Sequence, residues 1–75
     1  MRLNKNQFLF IVNTDVEHLV SFLQEDYSMS LLNAFDVVYT STIYEKLLNP
    51  QTGLYLQSAD YIYDYLKDEM AGIPV

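Results

Sequence analysis

The chain contains no cysteine. Disulfides, thiolate metal sites and a cysteine nucleophile are therefore excluded, and the absence suits a cytoplasmic protein. Glycine occurs only at Gly53 and Gly72. No glycine-rich loop exists to cradle a phosphate. Bases are scarce, four against ten acids, giving a formal charge of −6. Such a surface repels a phosphate backbone, so a nucleic-acid partner is not expected. Long apolar runs are missing too. The longest, residues 8–12, falls far short of the roughly 20 residues a membrane span needs. Arg2 and Lys5 precede that run in the manner of a signal peptide. Asn13, Thr14, Asp15 and Glu17 interrupt it, and no small-residue cleavage site follows. The expectation is a cytoplasmic protein without membrane contact.

What is present is apolar and rich in tyrosine. Of 75 residues, 51% are hydrophobic, enough for a single domain over residues 1–75 with its own core. A chain this short buries only about 60% of its unfolded surface, so its stability margin is small. The seven tyrosines fit a small core with wet edges or a protein interface. Excess acid serves solubility or the recognition of a basic partner.

Periodicity places a helix over residues 3–24. Phe8, Ile11, Val12, Val16, Leu19, Val20 and Leu23 recur at three- and four-residue steps. Asn4 with Gln7 reads as a capping box, and Leu3 with Phe8 as its hydrophobic staple. Two residues break the pattern: Asp15 projects into the apolar stripe and Phe10 out of the polar face. Ser30 is the expected cap of a second helix carrying Leu31, Leu32, Phe35, Val38 and Tyr39 inward, with Ser28 as the alternative cap. Thr42 with Glu45 matches a second capping box, opening a short third helix that buries Ile43, Tyr44, Leu47 and Leu48. Pro50 ends it, and residues 49–53 read as a tight turn. Residues 54–57 read as an extended connector plugged into the core by Leu54 and Leu56. Ser58 then caps a last helix, with Ile62, Tyr65, Leu66 and Glu69 inward, and Tyr63 and Met70 pointing elsewhere. Gly72 and then Pro74 mark its end. The predicted fold is all-α: a compact bundle of about four helices, the third short, with a short extended connector before the last.

From Phe35 onward the chain carries a recognisable set of residues. They are Phe35-Asp36-Val37-Val38-Tyr39, then Ser41, Tyr44 and Leu47, then Thr52-Gly53-Leu54-Tyr55-Leu56-Gln57-Ser58, and Tyr61-Ile62-Tyr63-Asp64-Tyr65-Leu66. This pattern resembles short all-helical bacterial proteins grouped as domains of unknown function. The resemblance covers about two thirds of the chain and consists of structural punctuation rather than chemistry. It implies an all-helical fold with no assigned activity, and it carries over no catalytic residue. It also implies a role as accessory to the product of a neighbouring gene, such as proteins resembling ADP-ribosyltransferases.

No convergent catalytic set can be written. His18, the single histidine, lies beside Asp15 and Ser21 on one helix. A working triad needs groups converging from separate elements and an oxyanion site. Asp60, Asp64 and Asp68 form a stripe on the last helix, but one helix face does not wrap a hard cation that wants six or more oxygens. No cofactor, metal or enzymatic activity is expected. Asp15 is the candidate buried polar group, accepting from a tyrosine hydroxyl or from the amides at Ser30 or Thr42. Phe10, Tyr63, Tyr55 and Met70 are the candidate interaction surface. The expected function is a small interaction module for a protein partner or a second copy in a homodimer. A small-ligand domain, with tyrosines and Asp15 lining a cleft, is the alternative.

Overall fold

The computed structural model describes residues 3–73, so Arg2 and Pro74 lie outside the described residues. Four α-helices run through them: α1 (Lys5–Tyr27), α2 (Leu31–Tyr39), α3 (Thr42–Leu48) and α4 (Ala59–Met70). No strand occurs among the described residues. The fold is an all-α bundle measuring 38 × 25 × 19 Å, its long dimension matching the roughly 35 Å length of a 23-residue helix. No helix among the described residues is long and apolar enough to cross a membrane.

The start of α1 follows its sequence. The Asn4 side chain accepts from the Gln7 amide at 2.8 Å, and the Gln7 side chain accepts from the Asn4 amide at 3.0 Å. Both halves of the capping box are thus made. Val12, Val16, Leu19, Val20 and Leu23 form the buried stripe, and Asp15 is buried with them. At the other end Ser28 adopts a left-handed φ of 55°, which turns the chain back toward α2.

Ser30 caps α2, its Oγ accepting from the Asn33 amide. The inward face differs from the one expected. Ala34 and Val38 are fully buried, whereas Leu32 is 80% exposed and Leu31 and Tyr39 are about half exposed. The short side chain of Ala34 lets α2 approach α1 closely along the 34–38 line, while Leu32, two residues before Ala34, falls on the opposite side of the helix. Phe35, expected in the centre, is only half-buried. It stacks on Tyr39 at 5.7 Å, and Tyr39 meets Tyr44 edge-on at 4.9 Å.

The start of α3 is a second correction. Ser41, not Thr42, is the cap: its buried Oγ accepts from the Tyr44 amide and donates to the Val38 carbonyl. Thr42 is the first helical residue, and its partner is Glu69 of α4. That carboxylate accepts from the Thr42 amide at 2.9 Å, the Thr42 hydroxyl at 2.6 Å and the Ile43 amide at 3.3 Å. Burial pushes the Glu69 pKa up, but the bonds from Thr42 and Ile43 outweigh it and hold the group below its ordinary value. Glu69→Gln should therefore cost about 1–2 kcal/mol, the usual worth of a lost cap or charge-assisted bond. Because the folded pKa is lowered, this contribution is present above the unfolded pKa and fades as the solution is acidified through the folded one. Urea titrations of both proteins at pH 7 and at pH 3 check this: the difference should shrink at pH 3.

The connector coils rather than extends. Pro50–Thr52 and Leu54–Leu56 are each one turn of 3₁₀ helix, joined by Gly53 at φ 69°. The amides of Gln51, Thr52, Gly53, Leu54, Leu56 and Gln57 all find acceptors within the segment, so these groups need no strand partner. The Asn49 side chain accepts from the Gln51 amide. The Thr52 hydroxyl donates to the carbonyls of Lys46 and Asn49 and accepts from the Leu54 amide. Leu54 is half-buried, but Leu56 is 67% exposed. Tyr55 takes the inward place instead, its ring edge-on to Phe8 at 4.8 Å.

Ser58 caps α4 as expected, accepting from the Tyr61 amide. Ile62 and Leu66 are inward, and the third buried residue is Tyr63 rather than Tyr65. Tyr63 packs on Phe22 of α1 at 4.9 Å and donates its hydroxyl to the Asp26 carboxylate at 2.7 Å. Burial, reinforced by that bond, pushes its phenol well above the ordinary range. Gly72, at φ 79°, closes the helix. Its amide reaches the Glu69 carbonyl at 3.0 Å and that of Ile73 the Asp68 carbonyl at 2.8 Å, the paired bonds of a Schellman end.

Candidate functional site

The groups expected to form one surface are scattered. Phe10 is 73% exposed on the first turns of α1, beside an open groove lined by Leu3, Asn4, Asn6, Gln7 and Ile11. Met70 is at the far end of the chain on α4 and partly exposed. Tyr63 and Tyr55 face inward, so the patch of Phe10, Tyr63, Tyr55 and Met70 does not exist as a unit. The reason is α1 itself, whose Phe8 and Phe22 each capture one of those tyrosines.

Asp15 is buried as expected, at 8% exposure, but without the expected partner. Its Oδ2 has no hydrogen bond. The Thr42 amide is taken by Glu69, Ser30 caps its own helix, and the Tyr63 hydroxyl is spent on Asp26. Asp15 lies seven residues from Phe8 and seven from Phe22, on the same side of α1. It therefore sits between the two tyrosine contacts, on the side facing the second 3₁₀ turn and α4. Burial raises its pKa to about 6, partly countered by the positive potential of His18 one turn on. His18 and Ser21 are exposed, and no catalytic geometry joins them to Asp15. Among the described residues no three acidic or imidazole groups converge to hold a metal ion.

Polar and aromatic groups do converge around Tyr61 and Tyr65, one turn apart on α4. Their rings meet edge-on at 5.1 Å and their hydroxyls are 3.1 Å apart. That bond to Tyr65 raises the Tyr61 phenol above its ordinary pKa. On the outer side the pair shares a groove with Asp64 and Asp68. On the other side it walls a cleft of about 260 Å³ between α3, the 3₁₀ turns and α4. Ile43 and Leu54 line its apolar part, and Lys46, Thr52 and Gln57 its polar part. Asp15 borders neither of these two spaces, and the charged group of the cleft that the tyrosines line is a lysine. The aromatic spacing of Tyr61 and Tyr65 was visible in the sequence; the arrival of Lys46 beside them depends on how α3 packs.

Fold and site together define a small all-helical domain with a tyrosine pair between an acidic groove and a lysine-bearing cleft. No protein-family model matches the chain, and no curated protein or solved structure shows significant similarity to it.

Proposed function

We propose that this protein is a small interaction module that docks a basic segment of a partner protein on the outer face of α4. The carrying observation is made by the chain's own lysine. Lys67 stands 4.9 Å over the Tyr63 ring while its ammonium lies 3.4 Å from Asp64. A cation held jointly by an aromatic face and a carboxylate is the contact that the neighbouring groove offers to a partner's arginine or lysine. There Tyr61 and Tyr65, 45% and 37% exposed, alternate with Asp64 and Asp68 along one side of the helix. The formal charge of −6 steers a basic partner toward this face. A cytoplasmic setting fits the thiol-free composition. Phe10 and Leu32, the two most exposed large apolar residues, favour self-association as the second reading.

Calorimetric titration with an arginine-serine repeat peptide separates the two. Binding should weaken about tenfold when Tyr61 and Tyr65 are both replaced by Ala, and by a similar factor in the Asp64→Asn, Asp68→Asn variant. Equal binding by wild type and the tyrosine variant would reduce the face to unspecific charge. Should sedimentation show a dimer that Phe10→Asp dissociates, and the peptide not bind, self-association takes the place of the basic partner.

A further inference from the structure

The cleft on the inner side of the tyrosine pair has a chemistry opposite to that of the groove. None of its lining residues is an acid. The single salt bridge among the described residues joins Lys67 to Asp64, so Lys46 brings an unpaired ammonium to the cleft. The charge of Lys46 also acts on Glu69, but the Glu69 oxygens are committed to Thr42 and Ile43. The Thr52 hydroxyl hydrogen is committed to the connector. What remains free is donor-rich: the Lys46 ammonium, the Gln57 amide, and one phenolic hydrogen, since only one of the two tyrosine hydroxyls donates to the other. Behind these donors lie Ile43, 1% exposed, and Leu54.

We propose that this cleft binds a small carboxylate with a compact apolar body, its carboxylate on Lys46 and its body against Leu54 and the tyrosine rings, over the buried Ile43. The ammonium and the free phenolic hydrogen match a carboxylate's acceptors, and the apolar wall gives the rest of the molecule a reason to leave water. The volume of about 260 Å³ equals roughly nine water volumes, which suits an acid of about that many non-hydrogen atoms. The site shares only the tyrosine pair with the α4 groove, and its sign of charge makes the two readings separable.

Benzoate is the probe, with benzylamine of the same shape and opposite charge as the control. Amide shifts recorded during titration at constant ionic strength should saturate for benzoate at Ile43, Lys46, Leu54 and Gln57, with a Kd on the order of millimolar. Benzylamine should leave those residues unmoved. Lys46→Gln should weaken benzoate at least tenfold, while Lys46→Arg keeps it within about threefold. The Lys46 side chain makes no bond in the fold, so both variants should retain helical circular dichroism. Non-saturating shifts, unchanged affinity in Lys46→Gln, or equal binding of benzylamine at these residues would each overturn the proposal. Such a failure would leave the arginine-peptide result on the outer face untouched.

Discussion

Leu19→Ala is expected to lose about 2–5 kcal/mol of stability, the range for truncating a buried leucine. Leu19 is fully buried in the middle of α1. Its side chain faces a core that includes Val38, Leu47, Ile62 and Leu66, so the hole cannot be filled by movement of any single neighbour. A domain of this size has about 4–11 kcal/mol in total, at roughly 0.05–0.15 kcal/mol per residue. A loss near the middle of the range lowers the melting temperature by more than about 10 °C. Leu32→Ala is the matched control. The apolar periodicity of α2 equates Leu32 with a core residue, yet it is 80% exposed. Its truncation should stay within about 0.5 kcal/mol. Thermal melts of the two variants would contradict the fold if they fell by similar amounts.

Stability should also decline as the solution is taken from pH 4 to pH 7, and Asp15 is the reason. Its pKa is about 6 in the folded chain against 3.8 for the unperturbed group. Between those values the native state binds more protons than the unfolded one, so the stability slope with pH is negative. The contribution is complete below pH 3.8 and is lost as pH rises through 6. A difference of about two pKa units corresponds to roughly 3 kcal/mol at most. Physically, above pH 6 the fold must hold a buried carboxylate whose Oδ2 has no donor. Asp15→Asn removes the ionisation while keeping the shape. At pH 7 the variant should be more stable than wild type by about 1–3 kcal/mol, and at pH 4 the two should nearly coincide. Taking the difference between the proteins at each pH isolates Asp15 from Glu69, whose dependence runs the other way. A difference that does not change with pH would mean that the carboxylate finds a donor.

The four helices and most of their caps were legible in the sequence because each is written locally; the Ser41 cap and the two 3₁₀ turns, equally local, were misread as a Thr42 cap and an extended connector. Asn4 with Gln7, Ser30, Ser58 and Gly72 all act within one turn of themselves. The burial of Asp15 and the exposure of Phe10 followed from the period of α1 alone. Features that depend on a distant partner were not legible. Tyr63 and Tyr65 both flank the Ile62–Leu66 line of α4, on opposite sides. Which of them goes inward is set by Phe22 and Asp26 on α1, some forty residues earlier in the chain, which offer a ring and an acceptor on one side only. In α2 the leucines advertised a face, but the alanine made the contact. At α3, Glu45 and Glu69 both offer a carboxylate to the first turn, and only packing chooses the distant one. The cleft was hidden for the same reason, since its lysine and its tyrosines come from different helices.

The capping of α3 by Glu69 has a consequence in time as well as in energy. The acceptor lies 27 residues downstream of the amide it binds. On a ribosome adding about 5–20 residues per second, Thr42 is made roughly 1–5 s before Glu69 exists. A seven-residue helix is far too short to persist unaided for that interval. During synthesis α3 is thus held by Ser41 and by whatever packing α1 already provides, and it becomes a settled helix only when the last turn of α4 arrives. Until α4 has been made, Ile43 and Leu47 lack the Ile62 and Leu66 side chains that complete their core, so this part of the fold closes late.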